Sequence, residues 1–231
     1  FMTILELEET TINPGIAFIL GLIYPLYKTG RNKESAEFIK GGINYNSISE
    51  EELANHFKLV MNFLEENKID NIDIKANKQS DFSISTKKGF SVLIWKESLS
   101  DEACIKILTK KIFEIKESDN IEVKKAFAKG CFDGRSSFDT TYHCLSIDTD
   151  QNYYRQDLIK SIFDDLEISL NLNRRAINYG KNDQLRIMPK FLEKYIKDIN
   201  LFSNFRKNKV IDFLLSLPDA KYIVTDTSFV S

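Results

Sequence analysis

Apolar residues recur along this chain in two rhythms, every third or fourth position in some stretches and every second in others, which mark helices and half-buried strands. The first helix is predicted from Asn13 as N-cap and Pro14 as first helical residue, through an almost unbroken apolar run to Ile23, where Pro25 ends it. Lys28 to Asn32 reads as a turn, and Ser35 to Tyr45 as a strand or hairpin with Gly41-Gly42 as bulge or turn. Ser49 and Glu52 form a capping box for a helix carrying Leu53, Phe57, Val60, Met61 and Leu64 on one face, ending near Asn67. Strands are predicted at Ile72–Lys75, Phe82–Ser85 and Phe90–Trp95, then a helix from Ser100 to about Ser118.

The order then restarts. Val123–Asp133 is predicted as a helix, Ser137–Thr141 and His143–Asp148 as strands, and Asn152–Leu166 as a helix. Ser169–Ile177 and Gln184–Met188 are predicted strands around a Tyr179–Asp183 turn, and Phe191–Ile199 and Phe205–Leu217 are closing helices. Lys221–Ser231 reads as a last strand or the start of a further segment. Both halves therefore read helix, two strands, helix, two strands, helix, with one extra helix at the end of the second. The expected units are residues 1–118 and 119–231, joined at Glu117–Asn120. Each first helix contains a glycine, Gly21 in Phe18–Ile23 and Gly130 in Phe127–Gly134. An interior helical glycine costs about 1 kcal/mol relative to alanine, and a close approach of the two helix backbones would account for both.

Composition narrows the function. The 231 residues, 42% of them hydrophobic, suffice for one large or two fused small domains with a true core. A net charge of −2 excludes a polybasic nucleic-acid binder, although not a basic groove on a neutral protein. No run of eighteen apolar residues is present, so no membrane span is expected. Thr3–Thr11 is acidic and unlike a signal peptide, and Phe1 ahead of Met2 reads as a cloning remnant. Cys104, Cys131 and Cys144 are odd in number and match no zinc spacing, so they are expected as reduced core residues of a cytoplasmic protein. His56 and His143, in a helix and a strand, offer little for a triad or a metal site.

The duplicated order, the helix glycines and the segment Phe127-Ala-Lys-Gly-Cys-Phe-Asp-Gly-Arg-Ser136 together resemble the LAGLIDADG family, best known as homing endonucleases. The resemblance spans most of residues 14–217. It implies an α+β fold of duplicated αββαββα units: a pseudo-twofold saddle with paired central helices and two antiparallel sheets lying along the DNA major groove. It also implies an acidic metal ligand at the end of each central helix. Here Leu26 and Arg135 fall at those two positions, and neither can bind a divalent ion or polarise water. The expectation is therefore DNA binding without cleavage by the family mechanism, and with no cofactor.

Asp133 is the remaining motif acid, and a local helix-end or turn role suits it, Asp-Gly being a common turn dipeptide. Arg135 either contacts phosphate or a base or pairs with Asp133 or Asp139. On the outward strand faces, Lys40, Asn44, Lys75 and Lys87, with Asn171, Asn173, Arg175, Lys181, Gln184 and Arg186, are the candidate DNA contacts. Trp95 reads as core or a strand-end platform, and the basic first turn Phe205–Lys209 as a phosphate contact or a tolerated surface. Asp148-Thr-Asp150 lacks the glycine and glutamate of a calcium loop and suits the cap of the helix that follows.

The leading expectation is a specificity module for double-stranded DNA, selective for sequence or base modification, within a restriction or other defence system. Cutting or translocation would lie in a separate nuclease or motor domain or subunit. The rivals are a magnesium-dependent nuclease using Asp133, Asp139 or Asp148 with a nearby lysine, and a protein-interaction scaffold.

Overall fold

Two helices packed through their glycines set the centre of the molecule. The computed structural model describes residues 1–32, 34–76, 88–174 and 182–218. Helix α2 (Pro14–Ile23) is capped by Asn13, whose side-chain oxygen accepts from the Ile16 amide, and it is buried from Gly15 to Ile23. A helix apolar all round must lie inside, and its partner is α5 (Ile121–Arg135), buried from Ala126 to Ala128 and from Gly130 to Gly134. The pair crosses at its glycines: a Cβ on Gly21 would stand 2.3 Å from the Phe127 carbonyl oxygen, and one on Gly130 2.2 Å from that of Phe18.

Before α2 lies α1 (Ile4–Glu9), after it one 3₁₀ turn at Tyr24–Leu26. The chain continues through β1 (Lys28–Arg31), β2 (Glu37–Tyr45), α3 (Glu50–Glu66), β3 (Asp73–Ala76), β4 (Lys88–Trp95) and α4 (Asp101–Glu117). Beyond α5 come β5 (Ser137–Asp139), β6 (Cys144–Thr149), α6 (Tyr153–Asp165), β7 (Leu170–Asn173), β8 (Asp183–Ile187), α7 (Pro189–Asp198) and α8 (Asn204–Leu215). Two four-stranded antiparallel sheets result, ordered β1-β2-β4-β3 and β5-β6-β8-β7. The two orders are the same permutation, as a duplicated α+β unit requires. Ile39, Ile43, Val92 and Ile94 of the first sheet and Leu145, Ile147, Leu185 and Ile187 of the second are buried against the helices. Their strand neighbours therefore line the opposite, concave faces.

Several elements differ from the sequence expectation. Thr3–Thr11 contains α1, started by a capping box between Thr3 and Glu6. Lys28–Arg31 is an edge strand, not a turn; it pairs with β2, and its exposed residues carry no apolar alternation to reveal it. Strand β2 passes through Gly41-Gly42 without bulge or turn, opposite Val92 and Ser91. A Cβ on Gly41 would meet the Leu22 carbonyl oxygen at 2.5 Å, so the glycine admits α2 to the sheet. His143 sits in a left-handed turn (φ 50°), not in a strand, and its ring stacks on Phe213 at 4.6 Å. Phe82–Ser85, most of the Tyr179–Asp183 turn and Lys221–Ser231 lie outside the described residues. Cys104, Cys131 and Cys144 are buried free thiols, each pushed up by burial. Among the described residues no helix is long and apolar enough to cross a membrane.

Candidate nucleic-acid interface

The concave faces and the ends of the central helices enclose a cleft of about 1350 Å³. Its lining includes six cationic side chains, Lys28, Lys40, Lys75, Arg135, Arg206 and Lys209, against one carboxylate, Asp148. A chain of net charge −2 thus concentrates positive charge in one concavity, and low-dielectric walls focus such a field. The ladder explains part of the clustering: Lys28 lies directly across from Lys40. Lys75 reaches over the rings of Phe38 and Trp95, at 5.7 and 5.4 Å from their centroids.

Arg135 ends α5 and projects over the first sheet, where its Nε donates to the Gly42 carbonyl at 3.4 Å. Burial lowers its pKa from the ordinary arginine value, and nearby Asp148 opposes the shift. The alternative ion pairs with Asp133 and Asp139 do not form. Asp139 instead accepts from the Thr141 and Tyr142 amides at 2.8 and 3.0 Å. Leu26 closes the 3₁₀ turn after α2 and also lines the cleft.

On the second sheet, Asn171 lies across from Arg186, and Asn173 from Gln184. Gln184 donates to Asp148 Oδ1 at 3.2 Å, and Arg186 donates to Gln184 Oε1 at 3.0 Å. Lys40, Asn44, Lys75 and Arg135 thus meet in the cleft, while Asn171, Asn173, Gln184 and Arg186 form one ladder face beside Asp148. Lys87, Arg175 and Lys181 lie outside the described residues.

Asp133 holds no turn. It sits fully buried within α5, with Oδ2 2.6 Å from His56 Nε2 and Oδ1 accepting from the Ser203 amide at 2.9 Å. Tyr45 joins the same network, 2.5 Å from both His56 Nδ1 and Ser203 Oγ, and burial pushes its phenol up to about 12. Arg206 is buried as well. It donates to the carbonyls of Ser136, Asp133, Asn44 and Gly134, so it caps the end of α5 and ties it to β2. Arg206 thus fits neither reading of the Phe205–Lys209 turn, phosphate contact or tolerated surface, whereas Lys209 lines the cleft. An Arg206→Lys variant is expected to lose roughly 2–3 kcal/mol, because an ammonium cannot span four carbonyls. A lower urea midpoint at unchanged slope would record it.

His56, Tyr45, Ser203 and Arg206 escaped sequence reading because they are far apart in the chain and meet only through the fold. Asp150 does serve the α6 cap, accepting from the Asn152 amide at 3.2 Å and from Arg155. A divalent metal does not fit the helix ends: the side chains there are an alkyl group and a cation, and Asp133 is closed to solvent with both oxygens engaged. Among the described residues no cluster of three or more histidine, cysteine or carboxylate side chains is placed to hold a metal.

Paired glycine-bearing helices, two sheets of matching order and a shared concave face define a LAGLIDADG-like fold. Solved structures of the homing endonuclease I-DmoI superpose on it. I-DmoI in complex with DNA and Mn is 18% identical with a TM-score of 0.52, covering 82% of this chain and 98% of that one. I-DmoI in complex with DNA and Ca is 17% identical with a TM-score of 0.52, covering 92% and 98%. A mesophilic variant of I-DmoI is 20% identical at 0.51, covering 81% and 96%. At these identities the likeness is one of fold. No protein-family model and no curated protein sequence matches the chain.

Proposed function

We propose that this chain is a double-stranded DNA-binding module that selects its site without cutting it by the LAGLIDADG metal mechanism. The observation that carries this reading is the cleft itself: six cations and one carboxylate on a chain of net charge −2, with Leu26 and Arg135 at the two central helix ends. The I-DmoI structures of like fold were solved with DNA, which supports the same use of the concave face. Residues 1–118 and 119–231 act as the two halves. Lys28, Lys40, Lys75 and Arg135 contact phosphate, and the polar ladder of β7 and β8 faces base edges. A selector that does not cut suits a larger assembly, such as a restriction or other defence system, whose nuclease or motor is another domain or subunit.

The test is retention of a randomised duplex pool over a salt series, with and without magnesium. Each phosphate contact contributes about −0.9 to the slope of log K on log salt, so a slope of roughly −4 is expected, with DNA left intact. Arg135→Ala is expected to weaken binding about tenfold. No retention at low salt would sink the DNA reading, and magnesium-dependent cutting would sink its non-cutting part.

A further inference from the structure

The two concave faces differ in chemistry. On the second sheet, Asp148, Gln184 and Arg186 form a hydrogen-bonded rail along one face, at 3.2 and 3.0 Å. The Arg186 guanidinium also lies over the Tyr142 ring, 5.4 Å from its centroid. Each rail member fixes the rotamer of the next, so the donors and acceptors are oriented before any ligand arrives. Arg186 is half-buried, with its Nε closed to solvent. On the first sheet, the cleft face carries Lys40 and Lys75, ammonium groups at the ends of four-carbon stems. Lys75 lies over the rings of Phe38 and Trp95. A lysine is a mobile point charge, whereas an arginine is a planar fork that matches guanine O6 and N7.

Resting on the DNA-binding reading above, we propose that the halves divide recognition unequally. The second sheet discriminates bases through the Asp148–Gln184–Arg186 rail, with a guanine opposite Arg186. The first sheet supplies charge that tolerates any sequence. The DNA site is consequently asymmetric, informative on one side and permissive on the other.

Selection from a randomised duplex, followed by sequencing, reads the division directly. The expected result is sequence information concentrated on one side of the site and including a strongly selected guanine. Arg186→Lys keeps the charge but loses the planar fork, so the ratio of affinity for the selected site to affinity for scrambled DNA should fall by roughly tenfold to a hundredfold. Arg186→Ala should remove the preference altogether. Lys40→Ala and Lys75→Ala should weaken cognate and scrambled duplexes by equal factors, each reducing the salt slope by about one. Information spread evenly over both sides, or lysine variants that change base preference, would overturn the division while leaving DNA binding intact. Absence of binding by the unaltered chain would overturn the underlying reading and the division with it.

Discussion

Replacing Gly130 by alanine is expected to destabilise the protein by more than about 3 kcal/mol, although alanine is the better helix former. The two effects have opposite signs, and their sizes decide the outcome. Helix propensity favours alanine by about 1 kcal/mol. Against it, the new methyl would lie 2.2 Å from the Phe18 carbonyl oxygen, where ordinary contact begins at 3.4 Å, and 3.1 Å from both Gly21 Cα and Leu22 N. All three are backbone atoms, so no side-chain rotation relieves the clash, and α2 and α5 must move apart by about 1 Å. Overpacking that a core can absorb costs about 1–3 kcal/mol. Here the two helices that carry both sheets must move together, which places the cost at the upper end or beyond.

Urea denaturation would record the loss as a lower midpoint, and thermal melting as a fall on the order of 10 °C. A gain in stability would mean that propensity outweighs packing and that the helices are not in backbone contact. Gly21→Ala meets the Phe127 carbonyl oxygen at 2.3 Å and should behave alike. The double variant should cost less than the sum, because the first methyl already parts the helices. The cleft lies at the ends of these helices, so its span is tied to the same contact.

The glycine pair was legible in the sequence because a costly residue recurred at matched places in a duplicated pattern. Most helices were legible for a related reason: their caps are local. Asn13, Ser49, Ser100 and Asn152 each accept an amide bond from within the next three residues. Strand β1 was not legible, since an edge strand facing a groove needs no buried alternation. Gly41-Gly42 resembled a turn because the same residue type serves turns and close packing; only the position of α2 distinguishes them.

The groove was legible as a set of alternating polar residues, but not its internal connections. Register places Asn171 opposite Arg186 and Asn173 opposite Gln184, and it depends on β7 and β8 pairing as they do. The Asp133 assignment failed for an instructive reason. An Asp-Gly pair is a common turn signal, yet the helix continues through it because distant groups satisfy what a turn would have satisfied locally. Arg206 takes the carbonyls of Asp133 and Gly134, and His56 takes the carboxylate. Nothing within ten residues of Asp133 announces either partner.

Asp133→Asn is therefore expected to be among the most damaging polar substitutions in the molecule, and its effect should depend on pH. Tyr45 Oη bonds both Ser203 Oγ and His56 Nδ1, which joins β2, α3 and the start of α8 to Asp133. His56 Nε2 lies 2.6 Å from the Asp133 carboxylate, and both side chains are buried, so no water can replace either partner. Burial alone would raise the Asp133 pKa; the His56 charge and hydrogen bond, the Ser203 amide and Arg206 outweigh it and hold the carboxyl below its ordinary 3.8. A carboxyl depressed on folding contributes stability that is present above 3.8 and is lost as pH falls through the lower folded value. Asparagine keeps the shape but removes the buried charge that His56, the Ser203 amide and Arg206 surround, and breaking such a buried pair costs roughly 3–5 kcal/mol. Urea titrations at neutral pH should show that difference, and it should narrow as both proteins are taken below pH 3.8. Equal stability at neutral pH would show that the pair does not hold α5, α3 and the start of α8 together. A difference that stayed constant into acid would assign the loss to packing rather than to charge.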